Sequence, residues 1–413
     1  MWTELLLAVV LAAPIIETTP EGDTLVVVPD GRVDLIGLRL SLPVGRLSPW
    51  WWSANAAVAW HLPRADPALS ARIDALMTLT LADDDWNTTL SARFRTRDFD
   101  HAISALQDFL DGGEVDRGAL QSWRSAGPGM WEVPQSALTV MVQRLLLDPR
   151  DLRRVTAPNP PRRLARLQRT RAALVGLTDR IIGFTGDVTV RQARESAAAL
   201  LAPPATTQPD DLAPVPVSIP PVPGGERTGW LPGGGQGAVV LARGSLSRTD
   251  PDYPALLVAL HVLAGGVRSR LLVGLRHEAG LIYSLSAADG AGPIPGLMTI
   301  SIPTRASQLT QTNQLTGSIL ADFIEGGITP VEQATAIHAL RLDARPATPD
   351  DALLAAMEAL RHGWPLDHHQ KAIDAAAVLS TAQINTFIAE FFSPEATTLL
   401  RVLPAPGLPP PIP

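Results

Sequence analysis

Arg276 and Tyr283 are of types, and at a spacing, suited to work on a carbonyl group. Arginine is a fixed cation with a fork of N–H donors, and tyrosine carries a neutral phenol O–H. Held on either side of a tight turn, the two can converge on one carbonyl oxygen. Such a pair binds a peptide backbone or stabilises a developing oxyanion. The plainer reading is an arginine satisfying the last carbonyls of a helix and a tyrosine packed in a core.

The elements that must position them lie between Leu263 and Ala287, LAGGVRSRLLVGLRHEAGLIYSLSA. Gly265-Gly266 reads as a turn. Val267 to His277 carries Leu271, Leu272 and Leu275 at helical spacing. Gly280 follows as a C-terminal stop, since glycine enters the left-handed conformation without strain. Leu281 to Ala287 then alternates as a half-buried strand does, which puts Tyr283 early on that strand.

This stretch resembles the second-half signature of the pitrilysin/insulinase zinc peptidases, GG-x-x-SRL-x4-R-x3-GL-x-YS. Gly265, Gly266, Ser269, Arg270, Leu271, Arg276, Gly280, Leu281, Tyr283 and Ser284 fall in place, while Arg268 stands where that family usually has a small residue. In the family, an arginine and a tyrosine at this spacing help hold substrate in the zinc site. The resemblance therefore implies catalytic roles for Arg276 and Tyr283 and substrate-binding roles for Gly265, Gly266 and Ser269.

Internal comparison shows two halves. Asp108–Gly113 (DFLDGG) recurs as Asp322–Gly327 (DFIEGG). Each copy follows a predicted strand and apolar helix (87–95 then 99–110; 297–303 then 309–324), and each leads into another helix, 114–125 and 330–344. Matching flanks make this a repeat signal. Between the halves, Ala202 to Gly229 is dense in proline and nearly free of periodicity, as an extended linker is at ~3 Å per residue. The reading is an N-terminal domain over 1–201, a linker over 202–229 and a C-terminal domain over 230–413.

In the first half, 24–29 and 33–42 read as strands, 68–81 as a helix, 161–177 as an amphipathic helix, 181–188 as a strand and 190–201 as a closing helix. The second half opens with a strand at 238–242 and a helix at 254–263 that Asp250 or Asp252 would cap. It ends with helices at 351–362, 366–377 and 381–391 and a strand at 397–403. The fold class is α+β, an α/β sandwich repeated twice. Over residues 22–405 this layout resembles the insulinase and mitochondrial-processing-peptidase fold, whose members close two halves around a peptide.

Composition narrows the classes. Hydrophobic residues make up 46% and charged residues 18% of 413, which excludes a disordered chain. A net charge of -7 argues against a general nucleic-acid binder. With no cysteine there are no disulfides, thiolate metal sites or thiol nucleophiles. Leu5 to Ala13 has the length of a signal-peptide core but follows Glu4 rather than a basic residue, so a packed strand or helix is the competing reading. With the missing cysteines it leans towards the periplasm or cell envelope, and the cytoplasm stays open. No run approaches the ~18 apolar residues of a membrane span.

A zinc peptidase of this family needs His-x-x-Glu-His on a first-half helix, two histidines for metal and a glutamate to activate water. None of the histidines at 61, 101, 261, 277, 338, 362, 368 and 369 begins that motif. The corresponding slot, Trp51 to His61, offers one histidine and no carboxylate. No metal or other cofactor is therefore expected in this chain, and the resemblance assigns the zinc to a partner. Asp367-His368-His369 is a weak metal candidate because adjacent helical side chains diverge. Asp83 to Asp85 reads as a solvated loop. Residues 144–180 hold ten arginines against three aspartates and read as a solvated helix face. In Trp50-Trp51-Trp52, alternation would bury one or two rings against the core and leave another exposed for partner or substrate contact.

Two functions follow. In the first, the chain is the non-zinc subunit of a two-chain metallopeptidase, inactive alone, and meets a homologous zinc-bearing subunit to hold a peptide with Arg276 and Tyr283. In the second, it is a proteolytically inactive structural or binding member of the fold, like the core subunits of respiratory complexes.

Overall fold

The computed structural model describes residues 13–20, 22–45, 59–84, 86–118, 120–121, 137–147, 164–201, 224–232 and 236–405. In chain order the first part holds β1 (Ile15–Thr18), β2 (Thr24–Pro29), β3 (Ile36–Leu42), α1 (Pro67–Leu76), β4 (Met77–Asp83), β5 (Thr88–Phe94) and α2 (Phe99–Asp111). It continues with α3 (Ala137–Leu146), α4 (Leu164–Val175), β6 (Ile181–Gly186) and α5 (Val190–Leu200). The second part holds β7 (Gly225–Pro232), β8 (Gln236–Gly244), α6 (Tyr253–Ala264) and α7 (Arg270–Leu272), which runs into a π-helix over Val273–Glu278. Then come β9 (Ser286–Ala288), β10 (Leu297–Arg305), α8 (Leu309–Gly326), α9 (Pro330–Asp343), α10 (Pro349–Arg361), α11 (His368–Val378), α12 (Thr381–Phe391) and β11 (Thr398–Ala405).

One sheet runs β1-β2-β6-β3-β5-β4 and the other β7-β11-β8-β10-β9. Leaving out β1, the two orders correspond strand for strand. In each, a parallel pair (β2 with β6, β7 with β11) is followed by three antiparallel pairings. The six-residue echo sits at the same place in both. A strand, a single 3-10 turn and a helix end at Gly112 in one copy and Gly327 in the other. The duplication read from the sequence is thus a duplication of topology, and the α+β class holds.

The central strands explain the layering. β2 (TLVVVP) and β6 (IIGFTG) are buried along their length, as strands covered on both faces must be. Leu25 and Val27 join the core under α1, α2, α4 and α5. Val26, Val28 and Ile181 face the other way and pack on Ala352, Leu353, Ala356 and Met357 of α10. In the second sheet Val239 and Leu241 face the main helix layer, while Ala238, Val240, Ala242, Leu400 and Val402 pack on Val142 and Leu146 of α3.

Each sheet's second face is therefore covered by a helix from the other half of the sequence. The chain forms two compact units, Met1–Pro134 with Thr156–Pro216 and Pro346–Leu366, and Gln135–Val155 with Val217–Arg345 and Asp367–Pro413. This differs from contiguous halves at 1–201 and 230–413, because period-2 strands such as β2 and β8 have two apolar faces and sequence order does not say which helix covers each.

Other expectations shift locally. The helix expected over 68–81 stops at Leu76, and Met77–Asp83 is a strand, because the alternating Thr-Leu-Thr-Leu run has period 2 and pairs with β5. The linker's end is structured: from Gly225 the chain pairs parallel to β11. Neither aspartate side chain caps α6; Asp250 Oδ1 accepts from the Asp252 N–H at 2.9 Å instead. The helix expected over 114–125 runs out of the described residues after 121, and residues 1–12 also lie outside them. Among the described residues no single helix is long and apolar enough to cross a membrane.

Candidate functional site

α6 is apolar along almost its whole length and buried, and it ends where Gly265 meets His261. A Cβ on Gly265 would lie 2.7 Å from the His261 Cα, so the turn fits only because this residue has none. Gly266 takes φ of 73°, which carries the chain away from α6. Ser269 is 2% exposed, and its hydroxyl donates to the Gly266 carbonyl at 3.0 Å. These three residues therefore shape the turn, with the Ser269 hydroxyl occupied by its own loop.

The expected helix over 267–277 is only α7 and the π-helix. The first turn's backbone is taken by the glycine turn, and the wide i→i+5 ladder begins where Gly274 presses on α8. A Cβ on Gly274 would stand 2.6 Å from Ile319 Cδ1. π-Turns are rare and concentrate at functional sites. The ladder closes with the Ala279 N–H donating to Gly274 O at 3.1 Å and the Leu281 N–H to Leu275 O at 2.8 Å. Gly280 takes φ of 62°, the left-handed stop that the sequence called for. Thr304 Oγ1 then donates to Leu281 O at 3.0 Å and pins the exit to β10.

The expected strand over 281–287 is reduced to Ser286–Ala288, paired with β10. Leu281 and Ile282 are both buried where alternation would expose one, so the chain passes through an irregular loop instead. Tyr283 lies on that loop and is 81% exposed, which removes the core-tyrosine reading. Arg276 is exposed on the π-helix, and its guanidinium carbon lies 4.9 Å from the Tyr283 ring centre. Among the described residues neither side chain makes a hydrogen bond or an ion pair. A cation–π contact engages the ring face and leaves the guanidinium N–H donors and the phenol O–H available to a ligand. His277 and Glu278 beside them are exposed.

The zinc-slot region is described only from residue 59, so Trp51–Val58 and the tryptophans at 50–52 lie outside the described residues. Trp60 is buried edge-on against Phe109 at 6.2 Å. His61 is held neutral: burial first, and then the Arg64 charge, pull its pKa from 6.5 to about 4. Among the described residues no three His, Asp or Glu side chains cluster closely enough to hold a metal. One imidazole without a carboxylate does not fit a catalytic zinc.

The minor candidates resolve as structure. Asp84 Oδ1 accepts from the Trp86 and Asn87 N–H groups at 2.6 and 2.7 Å, closing a loop; Asp85 lies outside the described residues. Asp367 pairs with Lys371 at 2.9 Å, and His368 Nε2 lies 3.4 Å from Arg248 Nη1. The arginine-rich stretch is not wholly a solvated face. Arg180 is fully buried, its Nε donating to Asp23 at 2.9 Å, and Arg171 is buried with its guanidinium on the Phe109 carbonyl. Asp23 precedes Arg180 by most of the first half, so no local pattern announces the pair.

Comparison with known proteins agrees with this architecture. Residues 181–340 match the family model of the peptidase M16 inactive domain. Over 140 residues the chain is 29% identical to the non-peptidase homolog YmxG of Helicobacter pylori, a match spanning 33% of this chain and 32% of that relative's length. The fold superimposes on the crystal structure of a peptidase M16 inactive domain from Pseudomonas fluorescens with a TM-score of 0.73 at 17% identity, covering 97% of this chain and 100% of the other. It superimposes on a protease from Helicobacter pylori with a TM-score of 0.77 at 14% identity, over 95% and 100%. The chain thus has the M16, insulinase-type fold, and residues 181–340 group with the inactive domain of that family. Both the matched domain and the curated relative are non-catalytic in kind.

Proposed function

We propose that this chain is the non-zinc subunit of a two-chain metallopeptidase. Arg276 and Tyr283 grip the peptide backbone, and a homologous zinc-bearing subunit supplies the water-activating metal. The observation behind this reading is the exposed cation–π pair at 4.9 Å, with no hydrogen-bond partner among the described residues, formed between Arg276 on a π-helix fixed at both ends and Tyr283 on the loop that follows it. Arg276 and Tyr283 donate to a substrate carbonyl and, as it becomes tetrahedral, to its oxyanion. Gly265, Gly266 and Ser269 serve substrate by setting the turn from which this segment starts. A cell-envelope location fits a peptide-degrading complex and belongs to the same proposal.

The test is reconstitution. The chain and a homologue carrying His-x-x-Glu-His, sought first in the adjacent reading frame, are assayed separately and mixed, on a quenched fluorescent unstructured peptide. Hydrolysis is expected only in the mixture, and Arg276→Ala or Tyr283→Phe lowers kcat/KM by about a hundredfold or more. A second reading, a binding or structural member without proteolysis, is favoured by the curated relative being a non-peptidase homolog. It gains if the mixture stays silent or both variants are as active as the parent chain.

A further inference from the structure

We propose that Glu332, at the start of α9, is a positioning residue for the Arg276–Tyr283 pair and acts through Arg270. The inference rests on the substrate-holding role proposed above and adds a residue that no part of the signature contains.

The geometry is a clamp at the origin of the segment that carries Arg276. Arg270 Nε donates to Glu332 Oε1 at 2.8 Å and Nη2 to Oε2 at 2.9 Å, a two-point fork that fixes the plane of both groups. The same Nη2 reaches the Gly327 carbonyl at 2.7 Å, and the guanidinium lies 5.4 Å from the Phe323 ring centre. One side chain of α7 therefore binds the end of α8 and the beginning of α9 at once. Glu332 is itself fixed, because its Oε2 accepts from Thr329 N at 2.8 Å and Thr329 Oγ1 at 2.9 Å in a capping box. Arg270 and Glu332 side chains are 26% and 30% exposed, so water competes with the pair only in part.

From this clamp the path to the site is short and stiff. Arg270 opens α7, Gly274 sits flush on Ile319, and Arg276 follows two residues later. Gly280 and the Leu281–Thr304 bond fix the far end before Tyr283. A π-helix has a poorer hydrogen-bond ladder than an α-helix and gains its definition from its anchors. Loosening the first anchor lets Arg276 slide relative to Tyr283.

Glu332→Gln is the informative variant, since glutamine at this position keeps a capping box and loses the charged fork. Arg270→Lys is its counterpart, keeping the charge and losing the fork. Hydrogen–deuterium exchange on the isolated chain is expected to quicken by about tenfold over residues 273–285 in both variants, with the remainder of α8 and α9 unchanged. In the reconstituted mixture, kcat/KM on the fluorescent peptide falls by about ten- to a hundredfold, since misplacement by an ångström is enough. In an Arg276→Ala background the same substitutions produce no further fall. Exchange that stays unchanged over 273–285 overturns the proposal, as does a loss that adds fully to that of Arg276→Ala. If exchange quickens but no mixture hydrolyses peptide, the clamp stands and the metallopeptidase reading fails.

Discussion

A histidine that stays neutral inside a protein makes its stability depend on pH, and His61 is such a residue. Its pKa falls from 6.5 to about 4 because burial, and secondarily Arg64, oppose the imidazolium. The folded form binds its proton less readily than the unfolded chain. The stabilisation is therefore complete above about pH 6.5 and disappears as pH falls towards 4. Its full size is of the order of 1–3 kcal/mol. Melting curves of the parent chain and His61→Gln should converge as pH drops through this window. A gap between them that does not change with pH would show that the imidazole is not held neutral. Arg276 and Tyr283 predict the opposite. Being exposed, with only a cation–π contact between them, they should be replaceable by Ala and Phe with less than about 1 kcal/mol lost by chemical denaturation, whatever the effect on the proposed peptidase complex. The role of these two was only implied by the family resemblance. That their side chains could lie together was legible in the sequence, because seven residues across a glycine stop form a local pattern. Glu332 was not, since its bond to Arg270 spans 62 positions and exists only once α7, α8 and α9 have packed.

α10 shows how an element is seated by the absence of side chains. On β6, a Cβ at Gly183 would collide with Leu353, so α10 lies against bare backbone there. Its first turn is held by Asp350, which accepts from Thr185 Oγ1 at 2.8 Å and pairs with Arg93 and Arg39. Its last turn is held by Arg361, which donates to Asp179 O at 2.6 Å and Ser41 O at 2.8 Å. Gly183→Ala should cost about 1–3 kcal/mol through overpacking. Leu353→Ala should cost about 2–5 kcal/mol through a cavity. Together they should cost clearly less than their sum, because each relieves the other's misfit. Additive losses in denaturant titrations would mean that the two do not meet. Period made most elements readable: β2 has the expected limits, and α5 and α12 lie within a residue of theirs. It failed where two periods abut, as at Leu76–Met77. It failed again at 281–285, where the loop's path is set by the Leu275 carbonyl and Thr304 rather than by its own alternation.

At the scale of the whole molecule, duplication was readable from DFLDGG and DFIEGG, but the exchange of helices was not. Each copy of the topology is complete in strands and yet lacks the cover for one sheet face, because α10 serves the first sheet and α3 the second. A chain cut in the proline-rich stretch therefore leaves the first sheet with Val26, Val28 and Ile181 bare. Burial of such side chains is worth ~1.5–3 kcal/mol each, so the loss approaches the 5–15 kcal/mol by which ordinary domains are stable. Residues 1–201 expressed alone should be insoluble or bind a hydrophobic dye without a cooperative melt. Joining 346–366 to residues 1–216 through a flexible linker should restore a single sharp transition, as should co-expression with 217–413. Breaking Asp350 in the joined segment should weaken that rescue, since its bonds to Arg93, Arg39 and Thr185 all lie within the same unit. A cooperative transition from 1–201 alone would show that the first sheet does not depend on α10. The exchange would then be a detail of packing rather than the reason the two repeats remain on one polypeptide.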